Sequence, residues 1–465
     1  MNLKEATEIV CKNRPELARV IRENTTTSVL EYYQKTMMAE KDSNSPLIDI
    51  ISDIAIERGL VVDGSIIRNT LQTTFRAGTA DHHGPLGHPF FFHNTLIEDI
   101  ITPETQAIII LPCAGISLDN SSFPRGVLFH TMDGTLVRIP FFPSSQHRSP
   151  VYGMKIHTEN MKQHAEKQLT KYAAMLSPET NKKLQMIINN IFQRKEITTY
   201  EIAISHINKE LWKLLGQEKK PLITIDQESV VVKYICSEFD KNQAIRALLT
   251  DTSVQESFIE YFDGVIGAFD SKKNTGTHLF WYRNDHTRER MYIQDGALIS
   301  DTGVRIALTK DYLIDALTTK KIYPSMALSF IVLCGMEGLR TDGGFSQINY
   351  LKKILEQYQK LQKKHSDMFS PNTQNIDPSI FRGEITIAPF RINTKTVQAT
   401  LLDLLLYAPK DYLYRIKTYS EHIPLTESIY GMMESFYKIT TGHTSTISDA
   451  PISKPLWYAN ETTTE

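Results

Sequence analysis

The chain has 465 residues, 41% of them hydrophobic and 22% charged, and a formal net charge of -2. That size and apolar share suit a large buried core with appended elements, and the near-neutral balance leaves no electrostatic footprint for nucleic acid or an anionic membrane surface. The most apolar stretch, Ser325 to Met336, falls short of the ~20 residues a membrane span needs.

Four scattered cysteines (Cys11, Cys113, Cys236 and Cys334) have no metal-binding or CxxC spacing. They read as reduced thiols of a cytoplasmic protein. The start carries acidic residues and no apolar segment of the kind a secretory signal needs.

Residues 1–75 read as a helical region. "LKEATEIVCKN", "PELARVIREN", "TSVLEYYQKTMM" and "LIDIISDIAIERG" all place apolar residues three and four apart, and the last ends at Gly59. "DGSIIRNTLQTTFRAGT" predicts a helix running into a short strand. Residues 76–440 then alternate strands and helices. "AIIIL" (107–111) has the continuous apolar character of a buried parallel strand. "GVLFHTMDGTLVRIPFF" predicts a hairpin turning at Asp133-Gly134, and "HLFWYRNDHTRERMYIQDG" a second one. "SVVVKYICSEF" and "EITIAPFRI" read as strands. "TENMKQHAEKQLTKYAAML", "ETNKKLQMIINNIFQR", "TKDYLIDALTTKK", "QINYLKKILEQYQKLQKKH" and "TVQATLLDLLLYA" read as helices. Residues 441–465 are rich in Ser, Thr and Pro and read as an extended tail. The alternation predicts a three-layer α/β core.

The segment "TADHHGPLGHPFFFHNTL" (79–96) concentrates four histidines in a strand–loop–helix context, with Pro89 at the first turn of the helix. Helix amides at such a start attract anions, so Thr79, His82, His83, Gly84, Gly87 and His88 are candidates for a phosphate or carboxylate site. The competing reading is a zinc or iron site built from Asp81, His82, His83 and His88, with His130 as a further ligand. Their spacing matches no familiar metal signature. His93, a turn into the helix, reads as packing.

Other loops carry candidates too. "SLDNSSFPRG" follows a predicted core strand, where open α/β sheets bind ligands; it offers Asp119, Asn120, Ser121 and Arg125 for an amine or carboxylate. "FFPSSQHRSP" holds His147 and Arg148, and reads equally as a lid or a plain connector. In "RNDHTRER", Arg288 and Arg290 stand on alternate positions, an arrangement that suits a phosphate or carboxylate clamp, although Arg288 reads first as a solvated face. "LRTDGGFSQINY" places Gly343-Gly344 before a helix, with Glu337, Arg340 and Asp342 nearby. Cys113 ends the "AIIIL" strand and reads as a buried cysteine before it reads as a nucleophile.

Three of these segments resemble the bacillithiol synthase family, a family of cysteine-adding ligases. "GTADHHGPLGHPFFFHNTLIEDI" is similar in Gly84, Leu86, Gly87 and Pro89, with His82 and His83 standing where the family carries paired glutamines. The "HLFWYRNDHTRERMYIQDG" hairpin matches in Arg290, and "DGGFSQINYLKKI" in Gly343, Gly344, Gln347 and Tyr350. The chain departs from the family in lacking a lysine on the first helix and a long antiparallel coiled coil. The resemblance implies a Rossmann-like parallel-sheet core, ATP or another nucleotide as cofactor, and ligase or transferase chemistry. In that picture, His82, His83, His88, Asp119 and Arg290 are catalytic.

The expectation is therefore an α/β enzyme with a Rossmann-like parallel-sheet core, added β-hairpins and a helical N-terminal region. It forms or breaks a carbon–nitrogen bond on a small amino-acid-like substrate. It has no nucleic-acid or membrane partner, and a homo-oligomer is compatible with it. A divalent-metal enzyme and a non-catalytic small-molecule-binding protein remain the alternatives.

Overall fold

The computed structural model describes residues 1–37, 44–118, 125–217, 219–284, 287–369, 380–447 and 454–459. The chain opens with five helices: α1 (Leu3–Asn13), α2 (Pro15–Glu23), α3 (Val29–Met37), α4 (Leu47–Glu57) and α5 (Ser65–Thr74). Each has a local cause. In α1, Asn2 and Glu5 form a reciprocal capping box. Pro15 starts α2, where its missing N–H costs nothing. After α4, Gly59 takes φ +68° and Leu60 N donates back to Ala55 O at 2.9 Å, closing the helix end as a Schellman-type turn.

The center is a four-stranded parallel sheet. Its strands are β1 (Arg76–Gly78), β2 (Ile108–Ile110), β3 (Leu222–Thr224) and β4 (Arg340–Asp342), in the order β4-β1-β2-β3. Arg76 pairs with Arg340, Gly78 with both Asp342 and Ile110, and Ile110 with Thr224. Successive side chains face opposite ways. Ile108 and Leu222 enter one hydrophobic core together with Phe92, Leu96 and Ile97 of α6 (Pro89–Ile101). Ala77, Ile109 and Ile223 enter a second core with α4, α5 and α7 (Gln227–Glu238). The sheet is thus buried on both faces, as an all-parallel sheet requires. The mixed α/β class with a parallel core and added hairpins is as expected.

Both hairpins form. Gly126–His130 pairs with Leu136–Pro140 around a turn in which Gly134 takes φ +74°. Phe280–Arg283 pairs with Arg288–Gln294, and both belong to a five-stranded antiparallel sheet. Asp285 in that turn lies outside the described residues.

Two expectations fail for identifiable reasons. "SVVVKYICSEF" is helix α7, not a strand. Asp226 caps it by accepting from Ser229 N at 2.8 Å, and Val230, Val231, Tyr234 and Ile235 bury one helical face. The β-branched run suggested a strand, but cap and periodicity decide otherwise. The adjacent core strand is Leu222–Thr224. "EITIAPFRI" pairs only over Pro389–Ile392, with Lys395–Gln398, around Asn393 at φ +52°. The predicted helix "TVQATLLDLLLYA" is therefore split, and its helical part is Leu401–Tyr407, opened by a Thr400/Asp403 capping box. In the tail, Trp457 is buried and stacks 5.6 Å from Phe390. Among the described residues no helix is long and apolar enough to cross a membrane.

Candidate functional site

All four sheet strands are parallel, so their carboxyl ends share one edge, where open α/β sheets take ligands. The loops leaving that edge line a cavity of about 760 Å³. After β1 come Thr79, Asp81 and His82; after β2, Cys113 and Gly115. Gln227 and Glu228 follow β3, and Gly344 precedes Gln347 and Tyr350 on helix α8 (Gln347–Lys364), which follows β4. The far wall brings Trp281 and Arg288 from the antiparallel sheet, Glu384 from a later loop, and Phe436 and Lys438 from helix α9 (Met433–Thr441).

Three carboxyls in this cavity are held near neutrality. Burial pushes Asp81 up to about 8, and the neighboring charge of Glu384 adds to the rise against Arg125. Burial raises Glu384 to about 7, against one hydrogen bond from Phe345 N. Burial likewise raises Glu228 to about 7, with Asp226 adding repulsion. In each, desolvation of the charged form is the largest cause.

The backbone is shaped around these groups. Glu228 accepts from Ala114 N (2.8 Å), Gly115 N (2.7 Å) and Cys113 Sγ (3.2 Å). A Cβ on Gly115 would come within 2.8 Å of its Oε1, and one on Gly344 within 2.6 Å of Glu384 Oε2. Glu384 itself sits at φ +54°, a conformation side chains rarely adopt and one that clusters at functional sites. Its neighbor Gly383 packs on Ala80, where a Cβ would meet Ala80 Cβ at 2.7 Å. Glu384 thereby lies beside the Asp81 loop.

Folded, each raised carboxyl binds its proton more tightly than unfolded. Stability therefore falls as pH rises from the ordinary carboxyl range to about 8. Urea unfolding from pH 5 to pH 9 should show this decline, and Asp81→Asn with Glu384→Gln should flatten it. A wild-type profile that is flat or rising over that window contradicts the burial argument.

The sequence-predicted residues divide. Thr79, Asp81, His82, His88, Gly344, Gln347 and Tyr350 reach the cavity. His83 does not: it is fully buried on the other side of the loop, its Nε2 donating to Glu201 O at 2.8 Å. His82 and His83 are adjacent and point apart. His88 caps α6, its Nδ1 accepting from Phe90 N at 3.4 Å, and burial lowers it to about 4, so it is neutral. Gly84 and Gly87 shape the loop through their carbonyls, which accept from Asn208 Nδ2 and Leu401 N. Gly343 stands just behind the cavity, its carbonyl accepting from Arg382 N at 3.0 Å.

Arg125 is buried on Ser117 O at 2.7 Å, away from the cavity lining. Arg290 is tied to Asp301 at 3.0 and 3.1 Å outside it. Its neighbor two residues back, Arg288, lines the cavity, stacked 4.3 Å over Trp281. Arg288, exposed as expected, is thus the one of the two arginines that reaches the cavity. Asp119, Asn120 and Ser121 lie outside the described residues. His93 packs between Ala399 O and Ile387 N, and His130 pairs with Asp403 at 2.6 Å. Exposed His147 lies outside the cavity lining. Glu337 bonds Ser45 Oγ at 2.7 Å and Tyr234, and Arg340 donates to Thr36 O at 3.3 Å. Asp342 faces a buried cluster with Arg76, Glu98 and Arg382. Cys113 reaches the cavity, but burial and Glu228 push its thiol up, away from the thiolate a nucleophile needs.

Two proposed chemistries meet these facts directly. Four amides of this stretch are engaged within the protein: His82 N on Asp81, His83 N on Cys113 O, Leu86 N on Asn208 and Phe90 N on His88. Asp81, His82, His83 and His88 do not converge, and among the described residues no group of three or more His, Cys, Asp and Glu is arranged to hold a metal ion.

Reasoning from sequence missed Glu228 and Glu384. A signal for the first existed, since Asp226-Gln227-Glu228-Ser229 is a helix-cap pattern directly after a short apolar strand. Glu384 had none beyond its glycine neighbor. No protein-family model matches the chain, and no curated protein matches it.

Proposed function

We propose that this chain is a cytoplasmic enzyme that forms or breaks a carbon–nitrogen bond on a small, amine-bearing, amino-acid-like substrate. One observation carries the reading: the cavity at the carboxyl edge of the sheet holds carboxyls raised to about 7 and 8, side by side on the Asp81 and Glu384 loops. A substrate ammonium must shed a proton before its nitrogen lone pair can bond carbon, and a leaving amine must regain one. Acids and bases with pKa near the working pH do this best. Glu384, the more acidic of the pair, takes the proton from the nitrogen as the bond forms. Asp81, still protonated near neutrality, donates one to the departing group. Such pairs with separated pKa values mark acid and base roles.

Exposed Arg288 and Lys438 line the same cavity and suit an acidic group on the substrate. Arg288→Ala should weaken binding of a carboxylate-bearing substrate, whereas Arg290→Ala should leave it unchanged. Titration of both variants checks this, and the opposite pattern would restore Arg290 to the site.

The family resemblance adds a nucleotide. In the 79–88 loop the amides of His82, His83 and Leu86 are engaged within the protein and His88 is neutral, which disfavors a phosphate chain there. No step is assigned to ATP.

The test is a turnover screen. Purified protein is incubated with amino acids, alkyl amines and small carboxylates, with and without ATP and Mg²⁺, and products are read by mass spectrometry. A made or broken C–N bond that disappears in Glu384→Gln is the expected result. Tight binding of an amine with no turnover under any condition would instead mark a ligand-binding protein.

A further inference from the structure

One wall of the cavity is apolar. Gly267, at φ +92°, lays bare backbone against two side chains: a Cβ there would come within 3.1 Å of Met326 Cε and 3.3 Å of Tyr350 Cβ. The Phe330 ring backs Tyr350, with centroids 5.8 Å apart. All four residues line the cavity, and Met326 and Tyr350 are half-buried, so each keeps surface open to a ligand. The polar side chains beside them, Thr277 and Ser325, are buried and turned to the backbone. Thr277 Oγ1 donates to Phe280 O and accepts from Met291 N at 2.8 Å; Ser325 Oγ donates to His278 O and accepts from Leu328 N, both at 3.2 Å. With those hydroxyls committed, this wall offers a ligand carbon and sulfur surface. Tyr350 joins it to the acid–base pair. It stands in the first turn of α8, and Phe345, just before that helix, donates its N–H to Glu384. Burial, with Cys113 and Glu384 adding to it, pushes the Tyr350 hydroxyl up, so the side chain is neutral. A ligand gains affinity from such a wall through the apolar area it covers.

We infer that the substrate carries, besides its reacting nitrogen, an apolar group about the size of a phenyl ring, seated on Gly267, Met326, Phe330 and Tyr350. An aromatic amino acid and an arylalkyl amine share this chemistry. The inference rests on the C–N reading of the same cavity and names its substrate class. The wall suits a ring: the Met326 thioether adapts its shape to one, and the Phe330 and Tyr350 rings offer edge and face contacts. The cavity, at about 760 Å³, has room for it.

Isothermal titration of the full-length protein with four probes tests it. L-Phenylalanine and 2-phenylethylamine carry the ring; L-alanine and ethylamine are their counterparts without it. At least one ring-bearing probe should bind about tenfold or more tighter than its counterpart, the gain expected from burying such a side chain. The pair that shows the preference identifies the source, amino acid or simple amine. Met326→Gln, which sets an amide into the wall, should shrink that preference, and Met326→Leu should keep it. Equal binding within both pairs, or a preference that Met326→Gln leaves intact, overturns the apolar subsite and leaves the C–N reading standing. The expected preference without C–N turnover in the screen leaves the subsite standing and removes the C–N reading. If none of the four binds, both fall.

Discussion

Glu384→Gln should lower kcat/KM on the amine substrate by about 10²–10⁴-fold, the usual worth of a positioned general base. The substitution keeps the shape of the side chain and its acceptor for Phe345 N, so the fold should be unaffected. The pH profile separates a proton-transfer role from mere structure. In the wild type, kcat/KM rises as Glu384 loses its proton near 7 and falls as Asp81 loses its own near 8. The variant should lose the rising limb and keep the falling one. A drop of less than about threefold, or an unchanged profile, would remove Glu384 from the chemistry.

Arg382→Ala should destabilize the protein by about 3–5 kcal/mol, because it leaves two buried carboxyls to share one cation. Arg382 is fully buried. It reaches Glu98 at 3.1 Å, Asp342 at 3.7 Å and Tyr33 O at 3.1 Å, and lies 4.5 Å over the Tyr33 ring. Arg76 is the second cation on the same two carboxyls, so two arginines balance two acids when both acids are ionized. Burial already holds Glu98 up to about 7 despite Arg76. Removing one arginine leaves an uncompensated charge. Replacing Arg382 and Glu98 together by leucine should cost much less, since charge and partner leave as a pair. Urea unfolding measures both, and a loss under about 1 kcal/mol for the single variant contradicts the argument. The effect extends to the cavity: Arg382 N donates to Gly343 O and stands two residues before Glu384, so this anchor also helps set the position of Glu384.

The parts of this protein legible in its sequence were those with local causes. β1, the glycine-bearing loop and α6 follow from an apolar helix, a short strand and Pro89 at a first turn. β2 follows from an unbroken apolar run, and α8 from a long amphipathic period. Those elements place the cavity, and half of the loop residues singled out do line it. What local reasoning could not supply is direction. His82 and His83 are neighbors in the chain, yet one faces the cavity and the other the Glu201 carbonyl. Arg288 and Arg290 share a strand, and only cross-strand packing on Trp281 and pairing with Asp301 assign them to different surroundings. Glu228 was hidden by a valine run that reads as strand until the Asp226 cap is weighed. Glu384 reaches the site only through a contact between segments some 300 residues apart in the chain, Gly383 on Ala80. Histidines stand out in the sequence by their density, whereas three carboxyls in the cavity are raised toward neutral pH by burial that no local pattern records.

The most direct test of the central claim is a crystal structure with the amine that turns over in the screen. The account predicts its nitrogen within about 3 Å of a Glu384 or Asp81 carboxyl oxygen, on the floor at the carboxyl edge of the sheet. A ligand seated with its acidic group on the 79–88 loop and no nitrogen near either carboxyl would contradict it.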